Sequence, residues 1–243
     1  MTKDGLLLVA HGGRGDDGTA TKRLGRALST YFSEVQVSFL HGRPSPAEAL
    51  VAMRAPLVHV VPLLAAQGWA GREILRECLP GGERHRLLLH PPIGEHPGLA
   101  AMVEQIVGLA MARMGLDKRQ TAVVLLGHGS GRNPAAGSVV GRLAGKLADL
   151  DCAAEIHALF LSQPPYAKDW AAAVGMPDVI AVPCFFSVAS HVLIDLRALM
   201  EGDEIPGRRL WMTPPLAAQW QRLAPLVLDL VATGSAECLQ EHR

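Results

Sequence analysis

The feature that most constrains the fold is a strand-and-loop motif that occurs twice. The segment LLLVAHGGRG begins at Leu6, and VVLLGHGSGR begins at Val123. Each copy is an apolar run of strand length that ends on a histidine, followed by a loop of small residues with one arginine. Continuous apolar runs of this length are typical of strands in a parallel sheet that is covered on both faces. We therefore expect the chain to build two similar sheets.

The repeat extends beyond this motif over nearly the whole chain. Three further pairs of matching segments follow in the same order, and in one of them Pro62 matches Pro183. A repeat much longer than the roughly 20–50 residues of a solenoid unit indicates a duplicated domain. The segment MARMGLDKRQT separates the two copies. We place the boundary near Arg119, which divides the chain into an N-terminal half, 1–119, and a C-terminal half, 120–243.

Within each half, apolar segments alternate with helical patterns in the order βαβαβαβα. This order predicts an α/β fold of two duplicated, doubly wound domains, each with a four-stranded parallel sheet flanked by helices. We expect the two domains to face each other across a cleft. The predicted strands are Leu6–Ala10, Val35–Leu40, Leu57–Val61, Arg86–Leu89, Ala122–Leu126, Glu155–Phe160, Val179–Val182 and Arg208–Trp211. The predicted helices of the first half are Thr19–Tyr31, Pro46–Met53, Gly71–Leu79 and Pro97–Met114.

The composition excludes several classes of partner. The 23 basic and 23 acidic residues balance, so no strongly basic surface indicates binding to nucleic acid. No run approaches the roughly 18 apolar residues of a membrane helix, and the N-terminal segment lacks the pattern of a secretory leader. The four cysteines are scattered without a CxxC pair, which favours reduced, buried thiols. These features predict a soluble cytoplasmic protein with no membrane partner.

Two histidines of the second half are predicted to lie at the same edge of the sheet. His128 directly follows one strand, and His191 follows the strand that ends at Val182. Ligands of open parallel sheets bind beyond the carboxyl ends of the strands, where both histidines fall. Two neutral imidazoles bind divalent cobalt, nickel or iron, and they also accept protons. Asp195, one helical turn after His191, either orients that ring or is an ordinary solvated helix residue.

The motifs together resemble a known enzyme family. VAHGGR, LGHGSGR and AVPCFFSVASHVLIDL are similar to segments of the sirohydrochlorin chelatases of cobalamin and siroheme synthesis, close to the ferrochelatase superfamily. The resemblance covers both halves, as in the long, two-half members of the family. It implies a lyase-type chelatase that inserts a divalent metal into a metal-free tetrapyrrole without ATP. Cobalt is the expected metal substrate, with Fe²⁺ and Ni²⁺ as alternatives, and no organic cofactor is expected.

The resemblance also assigns roles to individual residues. It implies that His128 and His191 hold the metal and accept the pyrrole protons, while His11 is a secondary catalytic residue of the first half. The acidic side chains of the macrocycle require cations or backbone N–H groups as anchors. Each candidate arginine has an alternative explanation as an ordinary surface residue. The predicted substrate-binding residues are Arg14, Arg43, Arg132 and Ser130.

The chain departs from the family pattern at two places. Ala70 occupies the position in the N-terminal half that corresponds to His191 in the C-terminal half. The family carboxylate at the end of the second strand is replaced by Phe160 in the second half and by Leu40 or His41 in the first. His41 and His157 are candidates for a third metal ligand. His59, inside an apolar strand, is expected to be a core histidine.

Three alternatives to a cobalt chelatase follow from these patterns. A hydrolase of the α/β type is set aside because no serine occupies a G-x-S-x-G turn. The losses at Ala70 and Phe160 leave open a non-catalytic relative on the same fold, either a carrier of metal or tetrapyrrole or a regulator. An active chelatase with another metal or tetrapyrrole is also consistent with the motifs. Because one chain supplies both halves of the expected cleft, it is compatible with a monomer.

Overall fold

A computed structural model describes residues 3–13, 17–66, 73–74, 76–78, 83–131, 137–186, 194, 196, 198, 206–234 and 236–238. The strands are β1 (Gly5–Gly12), β2 (Glu34–His41), β3 (Leu57–Leu63), β4 (Arg86–Leu89), β5 (Thr121–Gly127), β6 (Glu155–Phe160), β7 (Asp178–Pro183), β8 (Arg209–Met212) and β9 (Glu237–Cys238). The helices are α1 (Thr19–Leu28), α2 (Pro46–Ala52), α3 (Leu99–Met114), α4 (Ser138–Asp149), α5 (Trp170–Ala173) and α6 (Trp220–Thr233). Single 3-10 turns occupy Ile93–Glu95, Lys118–Gln120, Ala167–Asp169 and Leu216–Ala218.

Two sheets repeat the same parallel arrangement. The first has the order β2-β1-β3-β4-β9, and the second has the order β6-β5-β7-β8. Strands β1 to β4 are parallel, as are β5 to β8, which confirms the predicted pair of four-stranded parallel sheets. The first sheet also has a fifth, antiparallel strand, because β9 pairs with β4. Two residues are too short for a periodic pattern, so this strand was not predicted.

The central strands are buried because they have a neighbouring strand on both sides and side chains packed on both faces. Leu6–Ala10 of β1 and Ala122–Leu126 of β5 have no exposed surface. Burying one such large aliphatic side chain contributes about 1.5–3 kcal/mol to folding. Each sheet has its own apolar core, formed around Val9 and Val60 in the first and around Val124 and Ala181 in the second. These strands therefore hold the loops at their carboxyl ends on a rigid base.

The chain forms two compact units that exchange one helix each. One unit contains Met1–His96, Phe186–Ser190 and Ala217–Arg243, and the other contains Pro97–Phe185 and His191–Leu216. Helix α3 follows the first sheet in sequence but packs against α4, whereas α6 follows the second sheet but packs against α1. The units therefore differ from the two sequence halves. The boundary near Arg119 describes the sequence repeat and stays a prediction.

Most predicted element bounds lie within a few residues of the observed ones. The helix predicted at Thr19–Tyr31 ends at Leu28, and the one predicted at Pro97–Met114 begins at Leu99. The helix predicted at Gly71–Leu79 falls partly outside the described residues. Within the ranges given above, no helix combines the length and the apolar character that a membrane span requires.

Candidate metal and tetrapyrrole site

The histidine of the duplicated motif has the same local geometry in both sheets. His11 and His128 are exposed at the carboxyl ends of β1 and β5. The Nδ1 atom of His11 lies 2.9 Å from the carbonyl oxygen of Gly12, and that of His128 lies 3.1 Å from the carbonyl oxygen of Gly129. A carbonyl oxygen only accepts hydrogen bonds, so Nδ1 of the neutral ring carries the proton and donates. Nε2 then keeps its lone pair, as a metal ligand or a base requires.

Both histidines are followed by a glycine that no other residue could replace without strain. Gly12 has φ of +70° and Gly129 has φ of +67°, in the left-handed region that glycine adopts freely. A Cβ atom on Gly12 would also lie 2.9 Å from the carbonyl oxygen of His41. A Cβ atom on Gly129 would lie 2.5 Å from Cγ of Gln163. The glycine of the repeated His-Gly pair is thus required by the backbone at this edge of each sheet.

In the first sheet a second histidine lies beside the motif histidine. The rings of His11 and His41 are 4.8 Å apart between centroids, with an angle of 63° between their planes. They meet because Gly12 of β1 pairs with His41 of β2 in the parallel register. His41 therefore lies beside the motif histidine of the first half, while its role as a metal ligand stays a prediction.

His157, the other candidate for a third ligand, has a different partner. Its Nε2 atom lies 2.9 Å from Oε2 of Glu155, at the start of β6, and His157 pairs with Val124 in the middle of β5. The same carboxylate accepts a hydrogen bond from the backbone N–H of Gly175, and this bond, followed by the one to His157, lowers the pKa of Glu155. His157 therefore lies within β6, away from the carboxyl end of that strand.

The hydrogen bonds after the second strand correct the sequence alignment of the two halves. The backbone N–H of Phe39 donates to the carbonyl oxygen of Pro44 at 2.9 Å, and that of Phe160 donates to Pro165 at 2.9 Å. Phe160 therefore corresponds to Phe39, and the proposed match with Leu40 or His41 is wrong. Counting on from these phenylalanines, His41 corresponds to Ser162.

The predicted substrate-binding residues have the following positions. Arg43 is exposed, and its guanidinium contacts Oε1 of Glu48 at 2.9 Å. Glu48 also belongs to the capping box of α2, whose N-cap is Ser45. Such an exposed ion pair contributes only about 0–1 kcal/mol, so it does not prevent Arg43 from binding another carboxylate. Arg14, Arg132, His191, Ala70 and Asp195 lie outside the described residues.

Gln163 is a residue of this site that sequence reasoning missed. Its Oε1 atom accepts a hydrogen bond from the backbone N–H of Ser130 at 2.8 Å. The backbone N–H of Ser130 is therefore already used within the protein, two residues after His128. The only sequence signal was the unusual turn SQPP, in which a glutamine follows the end of a strand.

Four histidines of the first half are buried and have protein partners: His59, His85, His90 and His96. Nδ1 of His59 lies 2.9 Å from Nε2 of His90, and both rings are buried. His96 is also buried, and its Nε2 atom lies 3.1 Å from Oδ2 of Asp229 on α6. Burial lowers the pKa of His96, and the nearby Asp229 carboxylate partly opposes this effect. These contacts confirm that His59 is a core histidine.

The His59–His90 pair predicts that stability falls on acidification. Burial, and then the charge of His59, lower the pKa of His90 to about 4, and burial lowers the pKa of His59 despite the Asp4 carboxylate. The unfolded histidines bind protons near their ordinary value of 6.5. The folded state is therefore fully favoured above about pH 6.5, and stability is lost as the pH falls towards about 4, by up to about 1.4 kcal/mol per pH unit for each proton. Urea unfolding across this pH range measures the slope.

A matched pair of variants identifies the source of this slope. His90→Gln removes one buried imidazole, so its unfolding free energy is expected to depend less steeply on pH. Val60→Ala removes buried aliphatic surface from the same sheet and leaves both histidines in place. We expect it to lower stability at every pH without changing the slope. A slope in His90→Gln equal to that of the wild type would show that other groups cause the pH dependence.

No ready-made cluster of metal ligands is present in the part of the chain that the structure describes. Among those residues, no group of three or more His, Cys, Asp or Glu side chains could hold a metal ion. Cys184, which follows β7, is buried, and burial raises the pKa of its thiol to about 12. A buried cysteine of this kind behaves as a small hydrophobic packing residue. The strand-end histidines are thus the main candidate ligands.

Comparisons with known proteins agree with the duplicated fold. The model of the CbiX family matches residues 5–108 and again residues 122–233. The chain is 21% identical over 218 residues to a probable sirohydrochlorin cobaltochelatase of Halobacterium salinarum, which covers 79% of this chain and 74% of that protein. The two family matches correspond to the two halves of the sequence repeat.

Three solved structures have a similar fold. CbiX, described as the terminal enzyme for biosynthesis of siroheme in denitrifying bacteria, is 26% identical with a TM-score of 0.72, over 94% of this chain and 98% of its own. SirB from Bacillus subtilis, solved with Fe³⁺, is 20% identical with a TM-score of 0.73, over 96% of each chain. A multi-domain protein of Deinococcus radiodurans with structural similarity to chelatases is 21% identical with a TM-score of 0.74. That match covers 94% of this chain and 54% of the other, so the chain spans about half of that protein.

Proposed function

Because the chain belongs to the CbiX family, we propose that it inserts a divalent metal ion into sirohydrochlorin or a related metal-free tetrapyrrole without ATP. The family relationship supports chelation of a tetrapyrrole as the general activity. The choice of metal and macrocycle and the roles of individual residues go further than this general activity, and we propose them from the residues of the chain. We also propose that the enzyme is monomeric and cytoplasmic.

One observation carries the proposal for the site. His128 extends from the end of a fully buried strand, and its Nδ1–H is oriented towards the carbonyl oxygen of Gly129. This hydrogen bond selects the tautomer whose Nε2 bears a lone pair, and the residue as a whole is exposed. An imidazole held in this way is suited to bind a divalent metal and to accept a proton.

The reaction requires metal binding first and proton acceptance second. The metal ion replaces two pyrrole protons, so the products are the metallated macrocycle and two protons. While the metal is bound to Nε2 of His128 and to His191, those nitrogens cannot accept protons. When the metal passes to the four macrocycle nitrogens, the lone pairs are released, and each imidazole accepts one of the two protons. In this proposal the same histidine pair therefore delivers the metal and removes the protons.

The remaining predicted residues would bind the acidic side chains of the macrocycle. Arg43, Arg14 and Arg132 supply guanidinium groups, which pair with carboxylates in two parallel hydrogen bonds. Arg43 would exchange Glu48 for a substrate carboxylate, at small cost because that ion pair is exposed. Ser130 lies in the loop next to His128 and would contribute its side chain. His11, with His41 beside it, would be a secondary residue of the first half.

Cobalt is the proposed metal, with Fe²⁺ and Ni²⁺ as alternatives. A protein described as a probable sirohydrochlorin cobaltochelatase is among the relatives, and the similar CbiX structure is of an enzyme of siroheme synthesis. Imidazole ligands suit all three metals, so the choice between them depends on geometry and availability. The metal is a substrate, and no organic cofactor is part of the proposed reaction.

An anaerobic absorbance time course with sirohydrochlorin and each of the three metals tests the proposal. We expect conversion of the free-base spectrum to the metallated spectrum to be faster with enzyme than without it. Binding of the tetrapyrrole without acceleration would favour the carrier or regulator that the substitutions at Ala70 and Phe160 allow. Absence of both binding and acceleration would refute the proposal.

A further inference from the structure

We propose that Gln163 is a positioning residue that holds the His128 loop in its working conformation, and that this clamp distinguishes the second half of the chain from the first. The inference rests on the proposed function for its catalytic consequence. Its structural part concerns the free protein and can be tested without substrate.

Three consecutive residues after β6 hold the backbone on both sides of His128. The N–H of Leu161 donates to the carbonyl oxygen of Gly127 at 3.1 Å, and the N–H of Ser162 donates to that of His128 at 2.9 Å. The side chain of Gln163 then accepts the N–H of Ser130 at 2.8 Å. The backbone from 127 to 130 is thus fixed by two main-chain bonds and one side-chain bond.

Two glycines provide the space that this side chain occupies. A Cβ atom on Gly129 would lie 2.5 Å from Cγ and 3.0 Å from Cδ of Gln163. A Cβ atom on Gly137 would lie 3.0 Å from Cδ of Gln163 and would collide with its Nε2. Gly137 has an ordinary right-handed conformation, with φ of −80° and ψ of −12°, so its backbone does not require glycine. The missing side chain at Gly137 is explained by the packing of Gln163 and Phe160.

The first half lacks this clamp. Because Phe39 corresponds to Phe160, the position that matches Gln163 is Gly42, which has no side chain. Position 42 therefore has no side chain that could accept the equivalent hydrogen bond from the loop after His11. The strand-end histidine is repeated in both halves, whereas the side chain that fixes its loop is present only in the second. This difference supports the second half as the one that carries the proposed chemistry.

The clamp is expected to affect the chemical step more than substrate binding. A ligand or base must be held within a fraction of an ångström of its working position, and small displacements reduce catalysis strongly. Gln163 contacts the loop backbone, so its loss leaves the imidazole present but less well oriented. We expect Gln163→Leu to lower kcat about 10- to 100-fold and to change KM for the tetrapyrrole less than about threefold.

Two variants and one control test this inference. Gln163→Leu keeps the approximate size and removes the acceptor, whereas Gln163→Glu keeps an acceptor oxygen for the N–H of Ser130. Gln105→Leu, on the exposed face of α3, is the control for the same chemical change elsewhere. Hydrogen exchange of the Ser130 amide is measured in the free protein, and kcat and KM are measured with the substrate. We expect faster exchange and lower kcat in Gln163→Leu, with both largely restored in Gln163→Glu.

The outcomes separate this inference from the proposed function. Unchanged Ser130 exchange in Gln163→Leu would refute the clamp, whatever the activity. Faster exchange with unchanged kcat in an active enzyme would refute the positioning role. A loss of activity that only follows the loss of folded protein, or that Gln163→Glu fails to restore, would also refute it. A wild-type protein that does not insert metal would refute the proposed function, while the exchange experiment would still decide the clamp.

Discussion

Replacement of His128 by alanine is expected to lower kcat for metal insertion at least about 100-fold, because the proposed metal ligand and proton acceptor is lost. The ring is exposed and contributes little to the core, so the thermal midpoint should change by no more than a few degrees. The anaerobic absorbance assay measures the rate, and circular dichroism measures the midpoint. His191→Ala is expected to lower kcat by a similar factor.

His11→Ala is the matched control, since His11 occupies the same position in the first sheet and makes the same hydrogen bond to the next glycine. We expect a smaller loss of kcat in this variant than in His128→Ala. If His11→Ala abolished activity while His128→Ala retained it, the first half would carry the chemistry, and His41 would become its second ligand. Full activity in both His128→Ala and His191→Ala would refute the assignment of the site.

Replacement of Gly94 by alanine is expected to destabilise the protein by about 2–3 kcal/mol. Gly94 lies in the 3-10 turn after β4, and its N–H donates to the carbonyl oxygen of Leu64 at 2.9 Å. A Cβ atom on Gly94 would lie 2.5 Å from Cα and 2.7 Å from the carbonyl carbon of Ala65, and it would collide with the Ala65 carbonyl oxygen. These are backbone atoms, so they cannot move aside as a flexible side chain does. Urea unfolding measures the difference in free energy.

Gly108→Ala provides the opposite control within the same chain. Gly108 lies inside α3, and a Cβ atom there would meet no atom within 4 Å. Alanine is favoured over glycine in the interior of a helix by about 0.5–1 kcal/mol, so this variant is expected to be more stable than the wild type. Equal stabilities of Gly94→Ala and the wild type would show that the loop after β3 moves to accept the extra atom.

The strands were predicted well because their signal is local. An apolar run such as Leu6–Ala10 reflects a strand with neighbours on both sides, and such burial leaves the same pattern in any parallel sheet. The order of matching segments likewise predicted the duplication, which the two sheets confirm. The strand-end position of His11 and His128 followed from the same patterns. The periodicity of apolar residues and the positions of glycine and proline were sufficient to predict these features.

Side-chain partners across the turns were not predictable in this way. The hydrogen bond from Ser130 to Gln163 joins residues 33 positions apart, and no periodic pattern marks it. The correspondence of Phe160 with Phe39 likewise depends on hydrogen bonds to prolines that follow each strand. The sequence alignment matched Phe160 with Leu40 or His41 because a short turn contains too few residues to fix the alignment. Contacts of this kind require the folded backbone.

The sequence by itself determined the duplication, the alternation of strands and helices, and the histidines at the carboxyl ends of β1 and β5, because each depends on residues close together in the chain. Only the tertiary structure decided that α3 and α6 are exchanged between the compact units, that β9 extends the first sheet, and that Gln163 clamps the His128 loop. These features depend on which distant segments meet during packing. Local propensity does not specify these contacts, since they arise from the burial and pairing of surfaces that are far apart in sequence.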